Sequence, residues 1–403
     1  MNVEELVRES LREQAAGQPS AGPGFADRVL AARRRSRTRR LASVAAATAA
    51  VVAVAVGVPL LDSGKGDVRP AGVVDGGGTS AHPDQSPPRD LIAAGDVALA
   101  AYYTSEIVKQ TDDTGVVVRT YWLLDPKTGT YVKTTKWSYV AVAPGMKTAA
   151  VLEQDLPARR IGLLDLATGK VERWIPVDQG VGGLAFSHDG RKLVATTYGE
   201  NPDLRVEVTS TSGEVGWMAP YGRSSRTGFR VLDVASGGGS WARVAPRRDV
   251  NGREDFAFSR DGSLVFSRIV GERDGMQQYY DLLGNEVAAP AKERYLRWDV
   301  GARLSPDGRL AAGGLTKEVP DKSYSAIRDP RTGKEIVKVR GAELLAWADD
   351  KRLIAWERAA GSEVYRPMLV LVTIGSDKVV QLSGPREQTE DPGRQWEPVF
   401  AER

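Results

Sequence analysis

Residues 258–267 read FSRDGSLVFS, which is an apolar run, an Asp-Gly reversal and a second apolar run. Asp and Gly tolerate the positive φ that a tight turn needs, so this stretch predicts two antiparallel strands joined by a short hairpin. The pattern recurs in residues 186–196 (FSHDGRKLVAT), 304–313 (LSPDGRLAAG) and 347–356 (WADDKRLIAW), and more loosely in residues 142–152 (VAPGMKTAAVL). The chain is therefore predicted to consist largely of repeated β-hairpins.

A second signature follows each of these hairpins after a loop of variable length. Its best example is LLDLATGKVERW, which starts at Leu163, and related stretches start at Leu123, Val208, Tyr280, Ile327 and Val372. Two hairpins make a four-stranded antiparallel sheet. The turns of the first hairpins, at positions 145, 190, 262, 308 and 350, lie 45, 72, 46 and 42 residues apart. A period near 45 is typical of the blades of a β-propeller, with Trp and Tyr filling the layers between blades.

The length of the repeat region bears on the number of blades. Residues 91–403 number 313, and at about 45 residues per blade this favours seven blades over six. The interval of 72 residues has two explanations. Either it carries an insertion around residues 221–227, or it hides a degenerate blade around residues 229–244, where VLDVASGGGSWARV half-matches the second signature.

The combination of S-x-D-G hairpins with later D-x-x-T-G turns resembles the TolB-type and WD-repeat-like β-propellers of bacterial envelopes, over residues 91–384. The resemblance implies an all-β propeller that binds a protein partner at its funnel or on the face of its disc. The chain departs from the family in three ways. It has no usable pairing of Gly-His with a later Trp-Asp, only one clean Ser-Pro-Asp-Gly (residues 305–308), and a predicted membrane helix in place of a partner domain. No particular partner therefore carries over.

Residues 41–61, LASVAAATAAVVAVAVGVPLL, contain no charge and are long enough to cross a bilayer as a helix of roughly 30 Å. Six arginines lie within residues 33–40 immediately before this run, and Asp62, Lys65 and Asp67 follow it. The positive-inside rule then places residues 1–40 in the cytoplasm and residues 62–403 outside. The sequence predicts a single-pass cell-membrane protein whose anchor contacts membrane lipid.

Three other interpretations of this segment are open. The first is a buried core helix, since eight of the residues are alanine. The second is a cleaved secretory signal, with Ala53 and Ala55 at the cleavage site. The third is a twin-arginine export signal, which Thr38-Arg39-Arg40-Leu41 resembles. The flanking arginines argue against a core helix. A 40-residue segment before the apolar run is long for a cleaved signal, so the sequence favours a retained anchor.

The segments on either side of the anchor have distinct compositions. In residues 1–40, Val3, Leu6, Val7 and Leu11 have the spacing of an amphipathic helix, which either docks a cytoplasmic partner or merely precedes the anchor. Residues 62–90 are rich in Gly, Ser, Pro and Asp, and they predict a flexible linker before the propeller of residues 91–403.

Composition excludes several classes of function. Residues 1–40 carry nine Lys/Arg and five Asp/Glu, which leaves 46 basic against 47 acidic residues in the remainder. A domain of that balance lacks the positive surface that binds nucleic acid. The chain has no cysteine, so disulfides, thiol nucleophiles, iron–sulfur clusters and Cys-ligated zinc are excluded.

A search for catalytic or ligand-binding residues yields none. His82 lies in the linker, and His188 lies in the turn Ser187-His188-Asp189-Gly190, where consecutive residues cannot converge as a catalytic triad. Residues 249–255 lack the calcium-loop pattern, and residues 237–239 are interpreted as a hairpin tip. The pairs Tyr102-Tyr103 and Tyr279-Tyr280 are each expected to place one ring in the core.

The sequence therefore predicts a non-enzymatic extracytoplasmic propeller that binds a protein or envelope ligand on its face, without catalytic residues, cofactor or metal. One alternative is an anchored regulator whose cytoplasmic helix holds a soluble factor. Another is a propeller hydrolase or lyase acting on cell-wall polymer or peptide, which requires carboxylates converging in the central channel.

Overall fold

The computed structural model describes residues 78–209, 215–220, 222, 224–244, 246, 252–269, 275–361, 366–387 and 394–403. The predicted cytoplasmic helix and the predicted anchor, residues 41–61, lie outside these ranges. Within them every element is a β-strand or a connecting turn, so this part of the chain is all-β. No helix in the described ranges is long and apolar enough to cross a membrane.

The strands follow one another as antiparallel meanders. The first contains β1 (Ala93–Ala94), β2 (Val97–Lys109), β3 (Thr114–Asp125) and β4 (Thr130–Thr134). The second contains β5 (Trp137–Val142), β6 (Thr148–Glu153), β7 (Ala158–Asp165) and β8 (Lys170–Phe186). The third contains β8, β9 (Lys192–Tyr198), β12 (Arg226–Asp233) and β13 (Gly239–Arg243). Between β9 and β12 the chain forms β10 (Leu204–Thr209) and β11 (Val215–Met218), which belong to the first sheet. The long β8 belongs to both the second and the third meander, since it pairs with β7 and with β9.

Three further meanders complete the described domain. They contain β14 (Ala257–Phe258), β15 (Val265–Arg268), β16 (Gln277–Tyr280) and β17 (Glu286–Val287); β18 (Ala311–Val319), β19 (Lys322–Arg328) and β20 (Glu335–Arg340); and β21 (Glu343–Trp347), β22 (Arg352–Arg358), β23 (Pro367–Thr373) and β24 (Val379–Gln381). A bridge between Leu304 and Ala311 stands where a fourth strand would precede β18. The last strand, β25 (Glu397–Glu402), returns to pair with β2. The first sheet therefore holds both ends of the domain together.

Hydrophobic clusters join most of the successive meanders. Tyr121 of the first meander packs in one cluster with Val140 of the second, and Phe229 of the third packs with Phe256 beside the fourth. The remaining layers join the second meander to the third, the fifth to the sixth, and the sixth back to the first through Trp356, Leu369 and Leu99. Between the fourth and the fifth, Arg303 instead donates to the carbonyl oxygen of Phe258 and to the Glu293 carboxylate. Packing of successive small antiparallel meanders, with the first sheet completed by a strand from the C-terminus, is a propeller-like arrangement.

The Ser-x-Asp-Gly turns have a common physical basis. Ser259 donates its hydroxyl to Asp261 at 2.7 Å and accepts the backbone N–H of Leu264 at 3.0 Å. Gly262 closes the turn at a φ of 66°, which favours glycine. The same serine–aspartate bond occurs in the turns at 187–190 and 305–308. The predicted first hairpins are confirmed at these positions.

The interval of 72 residues contains an insertion, at a place the sequence did not indicate. The VTSTSGEVGW stretch beginning at Val208 is not the second hairpin of the third meander, because β10 pairs with β3 of the first sheet instead. Residues 229–244 form no separate blade, since β12 and β13 complete the sheet of β8 and β9. The extra length is therefore a hairpin that leaves its own meander to extend a distant one.

Part of the predicted flexible linker packs on the domain. His82 forms a parallel bridge with Ser383, and Ser80 pairs with Ala93. Gln85 is buried, accepts the backbone N–H groups of Arg89 and Asp90, and donates to the Asp90 carboxylate at 2.6 Å. These hydrogen bonds order residues 78–90, a Pro- and Ser-containing stretch that composition alone assigned to the linker.

Candidate functional site

The most concentrated group of charged side chains in the described domain surrounds Asp203. Arg119 donates Nη1 and Nη2 to the two oxygens of this carboxylate, at 2.6 and 3.0 Å. Arg253 donates Nε and Nη2 to the same oxygens, at 3.1 and 2.6 Å. The Asp203 side chain is only 1% exposed, so one buried carboxylate is held by two bidentate arginines. We call Arg119, Asp203 and Arg253 the Asp203 clamp.

The clamp joins three segments that are distant in sequence. Arg119 lies on β3, Asp203 lies between β9 and β10, and Arg253 follows β13. The backbone of Asp203 is also fixed, because its N–H is donated to the side chain of Asn201 and its carbonyl accepts the N–H of Val117. The clamp therefore attaches the third meander and the segment after it to the first sheet.

The network continues from Arg253 toward the second meander. Arg253 Nη1 donates to Asp255 at 3.0 Å, and Tyr198 donates its hydroxyl to the same carboxylate at 2.9 Å. The guanidinium carbon of Arg253 lies 5.1 Å from the centre of the Tyr139 ring. A Cβ on Gly183 would lie 2.1 Å from an Asp255 oxygen, so this close approach requires glycine.

Burial and ion pairing fix the protonation states in this network. Burial alone would raise the pKa of Asp203, but hydrogen bonds and positive charge from Arg119 and Arg253 outweigh it and hold the pKa well below its usual range. Burial also raises the pKa of Tyr198 well above the ordinary tyrosine value. The aspartate stays ionised and the tyrosine neutral near pH 7, so the arrangement serves as an ionic fastener rather than as a proton donor or base.

The clamp supports a sheet made from two repeats. The outer ends of β2 and β3 pair with each other, β3 pairs with β10, and β10 pairs with β11. We call residues 105–109 and 114–118 together with β10 and β11 the composite sheet. In the described residues β11 pairs with β10 alone. The composite sheet thus presents an outer strand whose second edge has no described strand beside it.

One face of the composite sheet is mostly apolar, with Glu106 and Thr114 as polar residues on it. Val108 is opposite Val116, which is opposite Leu204, and the next row in the same orientation contains Val206 and Met218. Alternate residues of a strand point to the same side, so these side chains share a face. Val108 is 41% exposed and Met218 is 40% exposed, while the other three are partly buried. We call this group, with Val208, the apolar face.

Most of the residues singled out in the sequence lie apart from the Asp203 clamp, and residues 252–255 are the exception. His188 Nδ1 lies 3.1 Å from a Glu402 carboxylate oxygen, and the Ser187 hydroxyl donates to Asp189. Ser187 and His188 therefore do not form a nucleophile–base pair. Gly237 lies in the turn between β12 and β13, as expected of a hairpin tip. Of residues 249–255, only 252–255 are described, and Arg253 and Asp255 belong to the network above.

The tyrosine pairs differ from each other. Tyr102 is buried and Tyr103 is partly buried, as alternation predicts, but Tyr279 and Tyr280 are both buried. The expectation was wrong for the second pair because β16 is covered on both sides. Tyr280 meets Phe256 toward the third meander, whereas Tyr279 meets Phe266 and donates to Glu293 on the other side.

Sequence reasoning missed the clamp entirely. Its members are separated by 84 and 50 positions, and none belongs to a repeated motif. The one available signal was the position of Asp203 in the anomalous 72-residue interval. Among the described residues, no group of three or more His, Cys, Asp or Glu side chains has the geometry to hold a metal ion.

Comparisons with known proteins give limited information. No family model matches the chain, and no curated protein matches it. Among solved structures, it is similar to the hydrazine synthase of Kuenenia stuttgartiensis at 15% identity and a TM-score of 0.35, over 63% of this chain and 68% of that one. It is similar to TolB of Acinetobacter baumannii at 15% identity and a TM-score of 0.34, over 72% of this chain and 68% of that one. It is also similar to an uncharacterized protein of Listeria monocytogenes EGD-e at 12% identity and a TM-score of 0.36, over 72% of this chain and 87% of that one. These likenesses assign no function.

Proposed function

We propose that this chain is a single-pass membrane protein that presents a six-bladed β-propeller outside the cell as a non-enzymatic scaffold for a protein partner. The proposal rests chiefly on the apolar face of the composite sheet. Val108, Val208 and Met218 are all more than one third exposed on one side of a sheet that is held in place by buried ion pairs. A rigid apolar surface of this kind is characteristic of protein-binding sites.

The composite sheet suits a protein partner for a second reason. The outer edge of β11 can accept another strand through backbone hydrogen bonds, which is a common way of recognising extended peptide segments. Val215 lies on this strand and is 61% exposed. The partner is therefore a protein that places an apolar segment against the face or along this edge.

The grouping of the strands supports a count of six blades. Each meander between β2 and β24 supplies one blade, β8 contributes to two of them, and β25 completes the first. The inserted β10–β11 hairpin accounts for much of the extra length of the 72-residue interval, so that this interval adds no further blade to the count. An experimental structure that shows a seventh sheet would contradict this count.

Site-specific photocrosslinking in the host tests the binding surface. A photoreactive amino acid at Met218 or Val208 is expected to give one discrete adduct with a partner protein. The matched control is Ile336, a residue of β20 that is 57% exposed outside the composite sheet, and it should give none. Met218→Asp should abolish the adduct formed from Val208, whereas Ile336→Asp should leave it unchanged. Absence of any adduct from Val108, Val208 and Met218 overturns the proposal.

Cysteine labelling tests the topology, because the natural chain has no cysteine. Leu283 is 77% exposed in the turn between β16 and β17, and Leu283→Cys should react with a membrane-impermeant maleimide on intact spheroplasts. Ser10→Cys, on the other side of the predicted anchor, should react only after lysis. The reverse pattern would show that the orientation derived from the arginines is wrong.

A further inference from the structure

A cavity of about 530 Å³ lies where the second and third meanders meet, apart from the composite sheet. Its wall includes Arg159, Gln179, Arg226, Trp241 and Arg243. None of its described lining residues is acidic. The cavity therefore combines three cationic side chains with an aromatic ring.

Arg226 is the central residue of this wall. Its side chain is 0% exposed, and Nη1 lies 2.7 Å from a carboxylate oxygen and 3.3 Å from the carbonyl oxygen of Glu254. The guanidinium carbon stands 4.4 Å from the centre of the Phe256 ring. These contacts hold the guanidinium group in one orientation with one nitrogen occupied.

The other edge of the guanidinium group has no partner. Within the part of the chain that the structure describes, Nε and Nη2 of Arg226 are buried and make no hydrogen bond. These two N–H groups are parallel and match the spacing of two oxygens of a carboxylate or phosphate. Buried donors are nearly always satisfied, so two unpartnered N–H groups beside a cavity make it a candidate site for a ligand that supplies two oxygens.

The remaining wall residues add to this picture. Arg159 and Arg243 are exposed and bring positive charge to the cavity. Trp241 already donates its indole N–H to Thr197 at 3.0 Å, which leaves ring surface for an apolar or flat ligand part. The side-chain oxygen of Gln179 is buried without a hydrogen bond in the described residues, so it can accept one from a ligand hydroxyl or N–H.

We propose that this cavity binds a small organic anion whose carboxylate or phosphate lies against Nε and Nη2 of Arg226, with a ring or apolar portion against Trp241. This site is separate from the apolar face. A ligand here can be present whether or not a protein partner binds the composite sheet, so the two proposals fail independently.

Isothermal titration calorimetry on the full-length protein in neutral detergent tests the site with defined probes. Benzoate and phenyl phosphate distinguish a carboxylate from a phosphate ligand, and benzyl alcohol is the uncharged control. We expect at least one anion to bind and benzyl alcohol to bind at least about tenfold more weakly. Inorganic phosphate shows how much of the affinity depends on the ring.

Variants locate the binding. Arg226→Lys keeps the charge and the Glu254 pair but removes the two parallel N–H groups, and it should weaken the preferred anion about tenfold. Arg243→Gln should weaken it less, and Trp241→Ala should weaken phenyl phosphate or benzoate but not inorganic phosphate. Arg230→Gln is the matched control, because Arg230 lies on the same strand, β12, and donates to Gly239 outside the cavity wall.

Three results would overturn the proposal. They are absence of heat with both organic anions, equal binding of benzyl alcohol, and unchanged affinity in both Arg226→Lys and Arg243→Gln. Because Arg243 is exposed, its variant remains informative if Arg226→Lys proves unstable. Thermal denaturation with and without the bound anion gives an independent readout, since a ligand that binds the folded state raises its Tm.

Discussion

Arg119 and Asp203 form a bidentate ion pair between residues 84 positions apart, with nitrogen–oxygen distances of 2.6 and 3.0 Å. The pair ties β3 to the segment from which the β10–β11 hairpin begins. Arg253 approaches the same carboxylate from a third segment at 2.6 Å. One buried acidic side chain therefore fastens the β10–β11 hairpin to β3, in addition to the backbone pairing of β10 with β3.

Asp203→Asn should destabilise the domain strongly. The substitution removes the negative charge and leaves two largely buried arginines without their counter-ion, a loss of the kind that typically costs about 3–5 kcal/mol. Urea denaturation of wild type and variant measures the difference. Asp299→Asn is the matched control, because Asp299 pairs with Arg297 at the surface and its loss should cost less than about 1 kcal/mol. Equal effects of the two substitutions would show that the clamp contributes little.

The contribution of Asp203 should also depend on pH in a defined direction. Its pKa is lowered in the folded state, so the stability it provides is fully present above the pKa of the unfolded chain, about 3.9, and is lost as the pH falls below that value. The difference in unfolding free energy between wild type and Asp203→Asn should therefore be constant from about pH 7 to about pH 5 and should shrink in more acidic solution. A difference that grows on acidification would contradict this assignment.

The local part of the fold was predictable because the hairpin signals are local. Ser259, Asp261 and Gly262 act within one turn, so their pattern predicts that turn without knowledge of the rest. The stretch at Val208 also formed a hairpin, as predicted. Its partner strand was not predictable, because β3 lies about ninety residues earlier and hairpin chemistry says nothing about which sheet edge receives it.

The clamp and the Arg226 cavity could not be read from the sequence for the same reason. An arginine in a strand normally points to solvent, and only tertiary pairing shows that Arg119 and Arg226 are buried. The double burial of Tyr279 and Tyr280 likewise depends on sheets packed on both sides of β16, which alternation within one strand does not reveal.

Gly183→Ala should destabilise the network through steric contact alone. A Cβ there would lie 2.1 Å from one oxygen of Asp255, whose other contacts to Arg253 and Tyr198 restrict its movement. Displacing a packed group of this kind typically costs about 1–3 kcal/mol. Gly216→Ala is the control, because nothing lies within 4 Å of its added Cβ. Thermal denaturation should show a lower Tm for the first variant and little change for the second; similar values would mean that Asp255 moves aside freely.

Removal of residues 397–403 should prevent stable folding, because β25 supplies the first sheet with a strand from the far end of the chain. The strand pairs with β2 from Val97↔Glu402 to Tyr103↔Glu397, and Ala401 is buried in the core. Without it, the edge of β2 is exposed and the first sheet loses the strand that completes it, which predicts aggregation or loss of the cooperative unfolding transition. A chain lacking only Arg403 is the control: it loses the hydrogen bonds of that residue to Gly95 but keeps β25, and it should still unfold cooperatively with a modestly lower Tm. If the longer truncation also unfolds cooperatively near the wild-type Tm, closure by β25 does not hold the domain together.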